Sequence, residues 1–271
     1  MNLALSISDG AIRLEREGPF AWIIIDQRNK YNSLTAAMWR ALPHAVAEAD
    51  GDESIRVIIL RGAGNKAFSA GADISEFEEK RHGDAAREYD SFNHTAFDIL
   101  SRTSKPTIAM IQGFCLGGGL GLALSCDLRF SDEGALFGLP PARLGIAYNP
   151  RWIKPLVAIV GAAYAKELLF TAERISAETA FHMGLINSVF PADELEETIR
   201  GVAQNIADNA PLSIMAAKRS IDAFASDLSA ETLHYLDNMV ERCFASEDYL
   251  EGRRAFIEKR RPVFRCTYKH Y

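Results

Sequence analysis

Two stretches of very small residues, each following a run of β-branched residues, constrain this chain more than any other feature. Pro106 to Ile111 (PTIAMI) leads into Gly113 to Gly121 (GFCLGGGLG), and Ile55 to Arg61 (IRVIILR) leads through Gly62, Gly64 and Asn65 to Ser69-Ala70-Gly71-Ala72-Asp73-Ile74. Runs of this kind bounded by glycine read as buried strands. Glycines that open a helix after such a strand leave its first N–H groups free at the positive helix end, with no side chain in the way. The same glycines would also serve close packing of helix on strand. Two such clusters in one chain weigh towards the first reading. Paired amides aimed at one carbonyl oxygen stabilise an enolate, and losing one donor costs on the order of 10² to 10³ in rate.

The other uses of a glycine loop fail on residue identity. In G-x-x-x-x-G-K-[ST] the Lys and Ser/Thr positions fall on Gly119 and Leu120, so no charge meets a phosphate. The dinucleotide pattern fails as well, because Gly119-Leu120-Gly121 continues into Leu122, Ala123 and Leu124 with no acidic residue closing a following strand. There is no G-x-S-x-G elbow and no H-E-x-x-H. His44 and His94 read as surface residues. Cys115, Cys126, Cys243 and Cys266 form no C-x-x-C pair, so neither a metal site nor a disulfide framework is expected, and a reducing cytoplasm fits. With 30 basic against 36 acidic residues, the net charge of −6 argues against a general nucleic-acid binder. No apolar run reaches the ~18 to 20 residues of a membrane helix.

Along the chain, Ile12–Glu17 and Phe20–Asp26 read as strands, followed by a helix from Thr35 to Asp50 with Thr35 as its N-cap. Ile74 through Arg102 reads as helix with a charged, mobile section at Glu78 to Ala85. After the apolar helix Gly117–Ser125 come two short strands, Asp127–Phe130 and Ala135–Phe137. This repeats a β-β-α grammar, giving an α/β fold. From Arg151 onward the pattern is helical, apart from a short apolar break at Asn187–Phe190. The chain divides softly near residue 205, into a core over 1–205 and a helical region over 206–271. In the latter, Ile214, Ala217, Ile221 and Phe224 form one apolar face that needs a partner.

These residues resemble the crotonase superfamily, the enoyl-CoA hydratase/isomerase family. The marks are Ser69-Ala-Gly-Ala-Asp-Ile74, Gly113-x-x-x-Gly117-Gly-Gly119 leading to Cys126-Asp127, Lys166-Glu-Leu-Leu-Phe-Thr171, Gly184-Leu-Ile-Asn-x-Val189 and the stretch from Ser246 to Arg260. The resemblance covers roughly residues 11 to 265, with the motifs in the family's order. It implies a spiral of β-β-α units with a helical C-terminal trimerisation region, a homotrimer or hexamer, and acyl-CoA thioesters as substrates. Coenzyme A enters as part of the substrate, with no separate cofactor.

The resemblance further implies that the amides of Ala72 and Gly118 hold the thioester carbonyl. Lys30, Tyr31, Ala70, Asp73 and Ile74 would line the path of the nucleotide and pantetheine, and Lys259 would reach a CoA phosphate, across a subunit boundary in many members. The two glutamate positions of a hydratase match Gly121 and Pro141, so both carboxylates are absent and hydration by the usual route is not expected. Leu144-Gly-Ile-Ala-Tyr-Asn149 resembles methylmalonyl-CoA decarboxylase-like members, in which a tyrosine sits beside the acyl group; a histidine of that subgroup is replaced here by Ala72. Tyr148 is thus the first candidate side chain, against a packed loop tyrosine. Arg143 is open between a substrate carboxylate and a structural ion pair. Three readings follow: an acyl-CoA-transforming enzyme of that family, a lyase that stabilises a thioester enolate in an oxyanion hole; an acyl-CoA decarboxylase or other lyase using Tyr148; and a non-catalytic acyl-CoA binder.

Overall fold

A computed structural model describes residues 5–7, 11–76, 83–224, 229–266 and 268. Strand β1 (Leu5–Ile7) pairs antiparallel with β2 (Ile12–Glu17), which forms a hairpin with β3 (Phe20–Ile25). Every residue of β3 is buried, because both faces of its sheet are covered. The following helix, Ala36–Gly51, starts where expected, with Thr35 Oγ1 accepting from the Met38 amide.

From here the chain winds between two sheets. Strands β4 (Val57–Gly62), β6 (Thr107–Ile111) and β8 (Leu128–Asp132) run parallel in the larger sheet, and β5 (Ala67–Ser69), β7 (Phe114–Leu116) and β9 (Leu136–Gly138) run parallel in the smaller. Each turn of the spiral gives one strand to each sheet. Helices follow the successive turns: Gly83–Arg102, Gly118–Leu124 and Pro150–Thr171, the last kinked at Gly161. β10 (Ile175–Ser176) closes the smaller sheet antiparallel to β9. The apolar break at Asn187–Phe190 is strand β11 (Ser188–Phe190), parallel to β8 at the edge of the larger sheet.

Alternation along β3 separates two cores. Ala21, Ile23 and Ile25 face the interior with Trp39, Leu42 and Phe97, whereas Phe20, Trp22 and Ile24 face outward and are covered by Leu195, Ile199 and Ala203 of the helix Leu195–Ala207. Position 205 lies inside that helix. The expected helix over Ile74–Arg102 resolves into a short turn, Ile74–Glu76, and the helix Gly83–Arg102. The charged section at Glu78 to Ala85 falls largely outside the described residues.

The C-terminal helices Pro211–Phe224, Ala230–Ala245 and Glu247–Glu258 carry a small core of Met215, Leu236, Met239 and Tyr268. Leu212, Met215 and Lys218 turn inward from the first of them. Lys218 Nζ donates to Asp127 Oδ2 at 2.8 Å and to the Lys105 carbonyl at 3.0 Å, while Asp127 also accepts from the amide and hydroxyl of Thr107. That pair ties the helical region to the start of β6. The opposite face of the helix is bare: Ile221 and Phe224 are each 69% exposed, and Phe256 and Ile257 of the last helix are more so. Among the described residues no helix is long and apolar enough to cross a membrane.

Candidate active site

The two small-residue clusters meet. Between β5 and the turn at Ile74, the segment Lys30–Leu34 runs alongside Ala70–Asp73: Ala70 N donates to Tyr31 O, Leu34 N to Gly71 O and Asp73 N to Leu34 O. In such parallel pairing the amides bonded to Leu34 flank Ala72, whose own N–H turns to the other side. Asn32 fixes the segment, with Nδ2 donating to the carbonyls of Ala63 and Ala67 and Oδ1 accepting from the Gln27 amide. Gly118 is the first residue of its helix, so its N–H has no partner within that helix. Among the described residues, neither the Ala72 nor the Gly118 amide has a protein acceptor.

Their proximity follows from Gly71. Its φ of +95° is open to glycine, and a Cβ there would lie 2.9 Å from Leu116 O and 3.0 Å from Gly118 N. A side chain at 71 would therefore cover the second amide. A Cβ on Gly118 would lie 3.8 Å from Ala72 N, which puts the two donors side by side, and 3.0 Å from the ring of Trp39. The glycines thus serve packing and amide exposure at once.

These amides border a cavity of about 140 Å³. Ala70, Ala72, Ile74, Gly118, Pro141 and Tyr148 all line it, so the structure gathers most of the residues singled out from sequence. Lys30 and Asp73 stand next to it as a clasp: Lys30 Nζ lies 2.8 Å from Asp73 Oδ2 and 3.0 Å from Ser75 Oγ. Burial opposes ionisation of Asp73, yet the bonds from Lys30 and Ser75 outweigh it and hold the carboxyl below its ordinary value of 3.8. Tyr31 is 49% exposed and packs edge-on against Phe114. Lys259, at the C-cap of the helix Glu247–Glu258, does not line the cavity within one chain. Arg143 pairs with Glu173 at the surface, which is the structural one of its two readings.

Tyr148 presents its ring to the cavity, but its hydroxyl is sealed from solvent and has no hydrogen-bond partner. Burial, with Cys115 adding a smaller effect, pushes the phenol well above its ordinary value, so it stays protonated. Gly121 and Pro141 are separated in a way sequence did not reveal. Pro141 lines the cavity at the start of the turn Pro141–Leu144, whereas Gly121 is buried in its helix and lines a different cavity. A Cβ at Gly121 would fall 2.6 Å from Phe97 Cζ. The Phe97 ring occupies that space, edge-on to Trp39 at 5.6 Å and to Trp152 at 5.3 Å.

Sequence reasoning missed the wall contributed by the helix Gly83–Arg102. Asp90, Asn93 and Phe97 line the cavity from it. Their spacing of three and four residues was a readable signal of one helix face. Among the described residues, Asp90 is the carboxylate that lines the cavity, and Asn93 is 3% exposed with Oδ1 unpartnered. No group of three or more His, Cys, Asp or Glu residues that could hold a metal ion occurs among the described residues.

Residues 15–267 match the family model for enoyl-CoA hydratase/isomerase. The chain is 35% identical over 248 residues to a short-chain-enoyl-CoA hydratase of Clostridium acetobutylicum, covering 92% of this chain and 95% of the relative. It is 34% identical to a carnitinyl-CoA dehydratase of Salmonella enteritidis, covering 94% and 98%. The crystal structure of an enoyl-CoA hydratase/carnithine racemase from Magnetospirillum magneticum superposes with a TM-score of 0.90 at 35% identity, covering 96% and 97% of the two chains.

Proposed function

Since the chain belongs to the enoyl-CoA hydratase/isomerase family, we propose that it transforms an acyl-CoA thioester whose carbonyl oxygen is held between the amides of Ala72 and Gly118. The observation that carries this reading is the pair of adjacent N–H groups without protein acceptors at the edge of one cavity. As the thioester enolate forms, charge builds on that oxygen, and two fixed amides in a dry site stabilise it more than they stabilise the ground state. Coenzyme A arrives with the substrate, along Lys30, Tyr31, Ala70, Asp73 and Ile74, with Lys259 reaching a phosphate from a neighbouring subunit. The enzyme works as a homotrimer, single or doubled to a hexamer, whose contacts cover the exposed face of Ile221 and Phe224.

Gly121 and Pro141 leave the two hydratase carboxylate positions vacant. Among the described residues Asp90 is the carboxylate at the cavity, and it is the candidate for moving a proton at the acyl group. A second reading, acyl-CoA decarboxylation or another lyase reaction, is favoured by Tyr148. Loss of CO₂ from a malonyl-type thioester needs the enolate stabilised and then protonated, and Tyr148, a phenol whose residue lines the cavity, is the candidate proton donor. Calorimetric titration with a non-hydrolysable acyl-CoA, followed by turnover of crotonyl-CoA and malonyl-type thioesters, tests these readings. Saturable binding with turnover is expected. Binding without turnover would make the protein a non-catalytic acyl-CoA binder, and no binding at millimolar concentration would refute the reading.

A further inference from the structure

We propose that Phe97 sets the length of acyl chain this site accepts, as a rigid stop between the acyl cavity and a second, larger cavity behind it. The proposal rests on the acyl-CoA reading above and adds to it the class of acyl group. The second cavity, of about 580 Å³, is lined by Gly121, Leu124, Pro155 and Ala158 on its apolar side and by charged groups such as Arg151 and Lys154. Phe97 and Trp152 line both cavities, so these two rings are the partition between them. The vacant side chain of Gly121 gives the Phe97 ring its seat, since a Cβ there would lie 2.6 Å from its tip.

The stop cannot yield in the obvious directions. Backward movement drives Phe97 into the backbone of Gly121, and sideways movement meets the indoles of Trp39 and Trp152, both nearly perpendicular to it at 86° and 89°. Close-packed rings of this kind shift only when their neighbours do. The indole nitrogens of Trp39 and Trp152 make no hydrogen bond, so packing alone holds the wall, and truncating one ring opens it. The site therefore selects short acyl groups, and a longer chain could pass only if one ring of the partition were truncated.

The test measures binding of two unreactive thioethers, S-butyl-CoA and S-decyl-CoA, to the full chain as wild type, Phe97→Ala and Trp152→Ala. Because neither ligand reacts, the outcome does not depend on which reaction the enzyme performs. Wild type is expected to bind the butyl compound at least tenfold more tightly than the decyl compound. Both variants are expected to shift the ratio towards decyl at least tenfold. Phe97→Leu, which keeps more of the core volume, should shift it in the same direction by less and serves if Phe97→Ala does not fold. An unchanged ratio in folded variants, or a wild type that takes both chains equally, would overturn the proposal while leaving acyl-CoA binding intact. Failure of wild type to bind both compounds and also a carbonyl-bearing, non-hydrolysable acyl-CoA would instead overturn the acyl-CoA reading itself.

Discussion

Phe97 stands where the side chain of residue 121 would be: its Cζ lies 2.6 Å from the position of a Cβ on Gly121. Placing a carboxylate at this proposed hydratase position is therefore not a matter of one substitution. Gly121→Glu forces the ring out of its seat between two indoles and places a charge among buried aromatic groups. It should destabilise the fold by about 2 to 4 kcal/mol, from overpacking and unpaired burial together. It should not raise crotonyl-CoA hydration. Thermal unfolding and a hydratase assay check both halves, and a stable variant with new hydratase activity would contradict this placement of Phe97.

Tyr148→Phe separates the chemical from the structural role of that residue. The hydroxyl has no partner, so removing it leaves stability unchanged or raises it by about 1 kcal/mol. Turnover of the true substrate should fall at least tenfold, about 1.4 kcal/mol in the barrier. Unchanged kinetics would confine Tyr148 to packing.

The clasp beneath the cavity makes a prediction about acid. Asp73 is held below its ordinary 3.8, so its stabilising effect is fully present above that value and is lost as the pH falls through the lowered one. Between about pH 5 and pH 2 the Tm of wild type should fall more steeply than that of Asp73→Asn, whose amide does not titrate. Parallel curves would mean that the Lys30 bond does not persist in solution.

The exposed face of Ile221 and Phe224 calls for a partner subunit. Light scattering at micromolar concentration should give three or six times the 29.9 kDa of one chain. Phe224→Glu should shift the mass towards the monomer. A wild-type monomer would refute the assembly.

Local signals were legible in the sequence and tertiary ones were not. Thr35 marked its helix start because a cap acts within three residues. The glycine clusters marked two places where a strand turns into a helix against another backbone and only small residues fit, while the choice of Ala72 and Gly118 within them came from the family resemblance. Strand β11 read only as an apolar break, since three residues carry little pattern and its partner β8 lies some sixty residues earlier. Lys218 carried no signal in the sequence, because its partner Asp127 lies 91 residues earlier in the chain. The Gly121 vacancy was readable, but the ring filling it comes from a helix 24 residues upstream, and only packing brings the two together.

The proposed site joins two amides to one carbonyl oxygen, and isotope-edited infrared difference spectroscopy observes that oxygen directly. A ¹³C label in the thioester carbonyl of a bound acyl-CoA reports polarisation of the C=O bond. Hydrogen bonds from Ala72 and Gly118 should move the labelled band to lower frequency than in water, because preorganised donors in a dry site polarise the bond more than solvent does. Gly118→Pro removes one donor and should return much of that shift in whatever fraction still binds. A wild-type band at the solution frequency would contradict the paired-amide site.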